Sequence, residues 1–407
     1  MISFLKKNFN NDEVDATEGR VYLDFAGATP MSEKAKAEIV RSLSIFGNPS
    51  GIYKEGVEAK NELENSRKKI ANILNVRSHE IYFTGTGTES CNLAVMGTYL
   101  NWKKENEHAT QLPHMVISSI EHPSIMEVVN QLEEESKINV TYLKVYENGL
   151  VKVQDIREAL NENTILVSVM YANNEIGTVQ PIKEIGRAIE QYKEKNIYPY
   201  FHTDACQAPN YLNLDCFRLK VDIMTINSSK VYGPKGIALL YKKESIKIEP
   251  MILGGGQERK LRSGTESVTL INSFAIALRE SVEMQEMESK RLTILRDKFK
   301  NELANKIPET KFYGDWSERL PNNINFRVSG MPSDEMIIRL SEKGFAVSHK
   351  SACASSVDDA SYVITALGGT IEEAKENIRV TLGRNTEWKD LEKLIDAIVE
   401  IKNKYSK

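Results

Sequence analysis

The sequence predicts an α/β protein: a large domain with a mostly parallel central sheet, followed by a smaller α+β domain. Two patterns predict this. Between about residues 80 and 241, short β-branched and apolar runs alternate with segments of helical periodicity. Strand–helix alternation over that length builds parallel sheets. From about residue 272 the pattern changes to a long charged helical stretch and a few further elements.

The elements follow in order. Strands are predicted at 81–84, 115–119, 138–145, 164–170, 198–203, 221–227 and 236–241, with helices at 124–136 and 182–195 among them. In such sheets ligands gather at the carboxyl ends of strands, so polar residues that immediately follow a strand become site candidates. Beyond 272, residues 273–306 read as one or more exposed helices. A strand at 323–328, a helix at 333–343 and a final helix at 386–405 complete the chain. We expect the large domain to span 20–272. The small domain should comprise 273–407 with the segment 1–19, and should carry the loop around Cys353.

The chain has 407 residues, 41% hydrophobic and 27% charged, which is ordinary for a globular protein of two or three domains. A formal net charge of −4 argues against direct nucleic-acid binding, which needs a basic surface to neutralise phosphates. No apolar run is long enough to span a bilayer, so no membrane partner is expected. The start, Met1-Ile2-Ser3-Phe4-Leu5-Lys6-Lys7, lacks the apolar core and cleavage site of a secretory signal. Asp12, Glu13 and Asp15 count against an organellar presequence. Cys91, Cys206, Cys216 and Cys353 form no C-x-x-C pair, and no metal site is expected. So few cysteines suit a reducing cytoplasm, or an organelle should the source be eukaryotic.

Five segments carry chemistry, and each has a plainer reading. Thr84-Gly85-Thr86-Gly87-Thr88-Glu89-Ser90 joins a strand to a helix, where free N–H groups favour a phosphate; the hydroxyls could equally be caps. Asp204 ends an apolar strand, where a carboxylate can hold a pyridine nitrogen protonated, or merely start a turn. Lys230 follows a strand in Asn227-Ser228-Ser229-Lys230. A lysine there is desolvated, which lowers its pKa and favours reaction with aldehydes; most lysines are instead solvated. Gly254-Gly255-Gly256-Gln257-Glu258-Arg259 and Arg262-Ser263-Gly264-Thr265 suit an anion loop or a mobile surface loop. Cys353 lies in a polar stretch where His349 and Lys350 could stabilise a thiolate; the alternative is a buried structural thiol.

In this order and spacing the segments resemble fold-type-I pyridoxal-phosphate (PLP) enzymes. Phe46-Gly47-Asn48-Pro49-Ser50, Asn173-Asn174-Glu175-Ile176-Gly177, Tyr232-Gly233-Pro234-Lys235-Gly236, Arg262-Ser263-Gly264-Thr265 and Ser351-Ala352-Cys353 are jointly specific. They point to the class-V aminotransferase family, and within it to the cysteine desulfurases of the IscS/NifS type. The likeness runs from Tyr22-Leu23-Asp24 to Leu382-Gly383-Arg384. It implies a fold-type-I PLP-dependent transferase that converts L-cysteine to L-alanine and keeps the sulfur as a persulfide on Cys353.

The resemblance also implies roles. Lys230 binds the coenzyme's aldehyde and, once freed, moves the substrate's Cα proton. Asp204 pairs with the pyridinium nitrogen. Asn174 and Gln207 bond the ring's phenolic oxygen, and His122 stacks on the ring and takes part in proton transfer. Gly87, Thr88, Asn227 and Ser229 hold the phosphate, with Thr265 reaching the phosphate of a partner subunit, so a homodimer is implied. Arg379 clamps the substrate carboxylate, with Asn48 and Asn174 nearby. Cys353 then swings to a sulfur-acceptor protein such as an iron–sulfur scaffold, or serves tRNA thiolation.

The chain departs from the family pattern at several points. Ser229 stands where a histidine is usual, which implies weaker coenzyme retention without loss of the chemistry. Thr86 replaces a glycine, Cys91 replaces a common Asp, Gly27 and Ala28 alter an Ala-Thr-Thr-Pro pattern, and His349-Lys350-Ser351 alters the lead-in to Cys353. Two rival readings are another class-V PLP enzyme, such as an aminotransferase or selenocysteine lyase, and a non-catalytic sulfur-assembly partner. Cys353 speaks against the first, and the retention of Lys230, Asp204, His122 and Cys353 together against the second.

Overall fold

The computed structural model describes residues 19–193, 197–349 and 360–405. Lys350, Ser351, Ala352 and Cys353 lie outside the described residues. In chain order the strands are β1 (Val21–Tyr22), β2 (Ile81–Thr84), β3 (His114–Ser118), β4 (Asn139–Leu143), β5 (Thr164–Ser168), β6 (Tyr200–Asp204), β7 (Ile223–Asn227), β8 (Ala238–Lys242), β9 (Lys311–Phe312), β10 (Asn323–Arg327), β11 (Phe345–Ala346) and β12 (Asn377–Thr381). The helices are α1 (Glu33–Ser42), α2 (Lys54–Leu74), α3 (Gly87–Glu105), α4 (Pro123–Glu134), α5 (Val153–Ala159), α6 (Ile182–Lys193), α7 (Cys216–Leu219), α8 (Val268–Lys306), α9 (Ser333–Glu342), α10 (Tyr362–Ala366), α11 (Ile371–Lys375) and α12 (Trp388–Tyr405).

Alternation of side chains along each strand explains the layering. The central sheet has the order β2-β8-β7-β6-β5-β3-β4. It is parallel from β7 to β4, and β8 runs antiparallel to both β2 and β7. Val116, Val167 and Phe201 face one layer, where they meet Leu63 and Ile70 of α2, Ile185 of α6 and Phe274 of α8. Their neighbours Met115, Ile117, Leu166 and Tyr200 face the other, against Leu93 and Val95 of α3 and Ile125 and Val129 of α4. Both faces are covered, as a parallel sheet requires.

A second core lies around the antiparallel sheet β12-β10-β9 and the parallel pair β1-β11. It collects Leu23, Phe299, Phe326, Val380, Leu394 and Ile398. Helix α8 joins the two cores. The sequence suggested one or more exposed helices from 273. The structure shows one helix of 39 residues that begins at Val268. It buries Ile271, Phe274 and Leu278 on the large sheet, then Leu292, Phe299 and Leu303 in the second core. Most of its charges sit on the outer side of a helix roughly 58 Å long, Glu288 and Arg296 being buried, and they masked a narrow apolar stripe. Among the described residues no helix is long and apolar enough to cross a membrane.

Candidate active site

Strand ends and helix starts converge at the carboxyl edge of the parallel strands. A cavity of ≈ 150 Å³ there is lined by Gly87, Thr88, His122, Asn174, Asp204, Gln207, Asn227, Lys230 and Arg379. Nine of the sequence candidates are thus brought together from six separate stretches of chain.

Local chemistry fixes each one. Thr86 is the N-cap of α3, and its hydroxyl accepts the Glu89 N–H at 3.0 Å. This explains a threonine in place of glycine, because a cap removes one of the orphan donors at a helix start. The first helical residue, Gly87, packs so closely that a Cβ there would meet Asn227 Cβ at 3.2 Å and Cys206 Sγ at 3.3 Å. The helix start therefore opens into the cavity beside Thr88 and Asn227.

Asp204 ends β6 and is buried. Its Oδ1 accepts the Cys206 N–H at 2.9 Å, and its Oδ2 accepts the Cys91 thiol at 3.8 Å. The position of Cys91 is thus a contact with the Asp204 carboxylate. Asn227 ends β7, and its Oδ1 accepts the Ser229 N–H at 3.3 Å, which starts the single turn that presents Lys230. Lys230 Nζ donates to the Ala26 carbonyl at 2.8 Å and to the Gly27 carbonyl. Gln207 Nε2 donates to the same Ala26 carbonyl at 3.0 Å.

His122 caps α4, with Pro123 at the first helical position. Its Nδ1 accepts the Ser124 N–H at 3.1 Å, so the neutral ring carries its proton on Nε2. Burial lowers its pKa, Asp204 opposes that and Lys230 adds to it. Arg379 is fully buried on β12. Its Nη2 pairs with Asp24 Oδ1 at 2.7 Å and its Nη1 donates to the Asn174 carbonyl at 3.1 Å. Among the described residues, its Nε has no acceptor.

Other candidates fall elsewhere. Ser229 is half-buried outside the cavity lining, and its carbonyl accepts the Thr29 N–H at 2.9 Å and hydroxyl at 3.0 Å. Asn48 and Thr265 are exposed and do not line the cavity within this chain. The arginines of the glycine-rich loop have protein partners: Arg262 Nε pairs with Glu89 at 2.8 Å, and Arg259 Nη1 donates to the Ile81 carbonyl at 3.2 Å. Cys353 is outside the described residues, but the chain on either side is tied to the cavity wall. Ser348 exchanges backbone hydrogen bonds with Arg379 at 3.1 and 2.7 Å, and Ser361 donates to Glu175 at 2.6 Å.

Sequence reasoning passed over three residues. Asp24 was visible as an acid closing an apolar pair. Cys206 was visible beside Asp204. Glu121 precedes His122 and is fully buried, with Oε1 accepting the Met170 N–H at 2.6 Å and Oε2 without a partner among the described residues.

The donor set fits pyridoxal phosphate. An amine lies near a buried carboxylate, a helix start opens on the cavity through a close approach at Gly87, and an orphaned guanidinium N–H awaits an anion. Among the described residues, no group of acidic, histidine or cysteine side chains could hold a metal ion.

Comparison with known proteins agrees with this arrangement. The model for the aminotransferase class-V family matches residues 21–394. A cysteine desulfurase IscS of Clostridium botulinum is 38% identical over 386 residues, covering 94% of each chain. A solved NifS-like protein superposes with a TM-score of 0.86 at 29% identity, over 94% of this chain and 99% of that one. A solved structure titled SspA in complex with cysteine has a TM-score of 0.75 at 31% identity, over 89% of this chain and 98% of that one.

Proposed function

This chain belongs to the class-V aminotransferase family, and from that premise we propose that it is a PLP-dependent cysteine desulfurase in which Cys353 receives the sulfur. The observation that carries the reading is the convergence of Lys230, Asp204, His122 and Arg379 on one cavity. Those are the amine, acid, imidazole and guanidinium that an amino-acid substrate and this coenzyme require.

When bound, pyridoxal phosphate supplies an electron sink that acidifies the substrate Cα–H. The side chains do the rest. The start of α3, with Gly87, Thr88 and Asn227, would hold the phosphate. Asp204 would keep the ring nitrogen protonated, and Gln207 and Asn174, both on the cavity wall, would bond the ring oxygen. His122 lies over the cavity with Nε2 protonated. Arg379 presents its open Nε–H to the substrate carboxylate. Lys230 would hold the coenzyme's aldehyde, and its amine, which lines the cavity, would move the substrate Cα proton. The Cys353 thiolate attacks the substrate sulfur: an S–S bond forms, the Cβ–S bond breaks, Cβ takes up a proton, and alanine leaves. Cys353 is five residues beyond Ser348, a reach of roughly 17 Å when extended, and Ser348 is bonded to Arg379 itself.

The active unit in this reading is a homodimer. Asn48 and Thr265 lie on exposed surface beside uncovered apolar side chains: Phe46 is 81%, Ile52 97% and Leu253 80% exposed. Large apolar side chains left this uncovered suit an interaction surface. The persulfide passes to an acceptor protein, an iron–sulfur scaffold or a tRNA-thiolation partner, in a reducing cytoplasm. Among the described residues Cys91, Cys206 and Cys216 form no disulfide, which suits that compartment.

The test is incubation of the PLP-loaded protein with L-cysteine, with alanine and sulfide quantified and persulfide mapped by mass spectrometry. We expect one added sulfur on Cys353 and stoichiometric alanine. Full cysteine turnover by Cys353→Ser would overturn the assignment in favour of another class-V chemistry.

A further inference from the structure

Arg379 does not wait in the cavity unattended. Its Nη2 is paired with Asp24 at 2.7 Å and its Nη1 with the Asn174 carbonyl at 3.1 Å, while Nε is the guanidinium nitrogen with no acceptor among the described residues. Asp24 is itself tightly held. Its backbone carbonyl accepts the Gly27 N–H at 2.9 Å, the Ala28 N–H at 3.3 Å and the Tyr22 hydroxyl at 3.0 Å. A Cβ on Gly27 would collide with the Asp24 carboxylate, so the glycine leaves room for that side chain to lie against its own turn. The same turn offers the Ala26 and Gly27 carbonyls to Lys230.

We propose that Asp24 is the positioning residue of the carboxylate site: it fixes the Arg379 guanidinium so that its Nε–H faces the substrate. The inference rests on the desulfurase reading and adds a residue to it. A planar guanidinium binds through fixed edges. With one end tied to Asp24 and Asn174, the rotation of the plane is set before substrate arrives. Two anions then share one cation, Asp24 on one side and the substrate carboxylate on another.

The experiment compares binding of L-alanine and L-alaninamide to the PLP-loaded protein by calorimetry, in wild type, Asp24→Ala and Asp24→Asn. Alaninamide has no carboxylate. Asp24→Ala should weaken L-alanine by roughly 10- to 100-fold, the range of a lost charge-assisted hydrogen bond, and leave alaninamide unchanged. Asp24→Asn keeps an acceptor and should recover most of the loss. It also carries the test alone should Asp24→Ala not fold, by giving a smaller weakening confined to alanine. Equal weakening of both ligands, or no weakening of alanine in either variant, overturns the proposal. Failure of the desulfurase reading is seen separately, as no alanine formed from cysteine by the wild type.

Discussion

Glu121 sits beside His122 with no exposure and one carboxyl oxygen without a partner among the described residues. Burial pushes its pKa from 4.5 to about 8, with the Asp204 charge adding to the rise; the Met170 N–H and the Ser118 hydroxyl oppose it. The Tyr362 hydroxyl donates to the Glu121 carbonyl at 2.6 Å. The folded protein thus keeps a proton that the unfolded chain releases near pH 4.5. A state that binds more protons is favoured by acid, so this group's contribution to stability falls between about pH 4.5 and 8 and is level above that. Glu121→Gln has the neutral shape without the titration. Its melting temperature should exceed that of the wild type by more at pH 8 than at pH 5. Equal differences at the two pH values would show that Glu121 ionises as freely in the fold as in the open chain.

At the scale of elements, the glycine-rich segment is pinned from below. Glu258, Arg259 and Lys260 have φ of 45°, 55° and 69°, a left-handed turn built without glycine, at roughly 1–2 kcal/mol of strain per residue. Glu258 holds it. Its carboxylate takes two 2.7 Å bonds from Arg67 of α2 and one of 2.8 Å from the Phe83 N–H of β2. Arg67 and Glu258 are both buried. Glu258→Ala leaves the buried Arg67 cation with only its longer 3.3 Å pair to Glu64 and the Ile81 carbonyl, so a loss of about 3–5 kcal/mol is expected in urea unfolding. A loss below about 1 kcal/mol, the worth of a surface pair, would refute the clamp. This pairing was not legible in the sequence, and the reason is physical. Strands and strand-end residues such as Asp204 and Lys230 announce themselves through a local period of two and a sharp change of polarity. Arg67 and Glu258 are 191 residues apart, and Arg379 and Asp24 are 355 apart. Nothing local distinguishes a charge that will meet its partner across the core from one that stays in water. The same blindness applied to α8, whose apolar stripe is narrow among many charges, and to Glu121, which reads as an ordinary surface acid.

At the scale of the molecule, one question is whether a single chain holds a complete site. Nine candidates line the cavity, while Thr265 and Asn48 lie outside it on exposed surface. The anchoring of Thr265 favours a task performed elsewhere. Its loop is fixed by the Arg67–Glu258 pair and by Arg262 with Glu89 at 2.8 Å, yet its hydroxyl does not reach this chain's own cavity. A second copy docked through Phe46, Ile52 and Leu253 would cover these exposed apolar side chains and bring one chain's Thr265 toward the cavity of the other, where the proposed phosphate site lies. Two-fold symmetry makes such an exchange reciprocal. Complementation then separates shared sites from independent ones. Lys230→Ala removes the amine, and Thr265→Glu sets a negative charge against the phosphate; each homodimer should lack cysteine turnover. In a co-expressed hybrid, one of the two sites combines intact Lys230 from one chain with intact Thr265 from the other. Random pairing should restore about a quarter of wild-type alanine production per total site. Sites complete within one chain would restore none, because every Lys230-bearing cavity would then carry its own Thr265→Glu substitution.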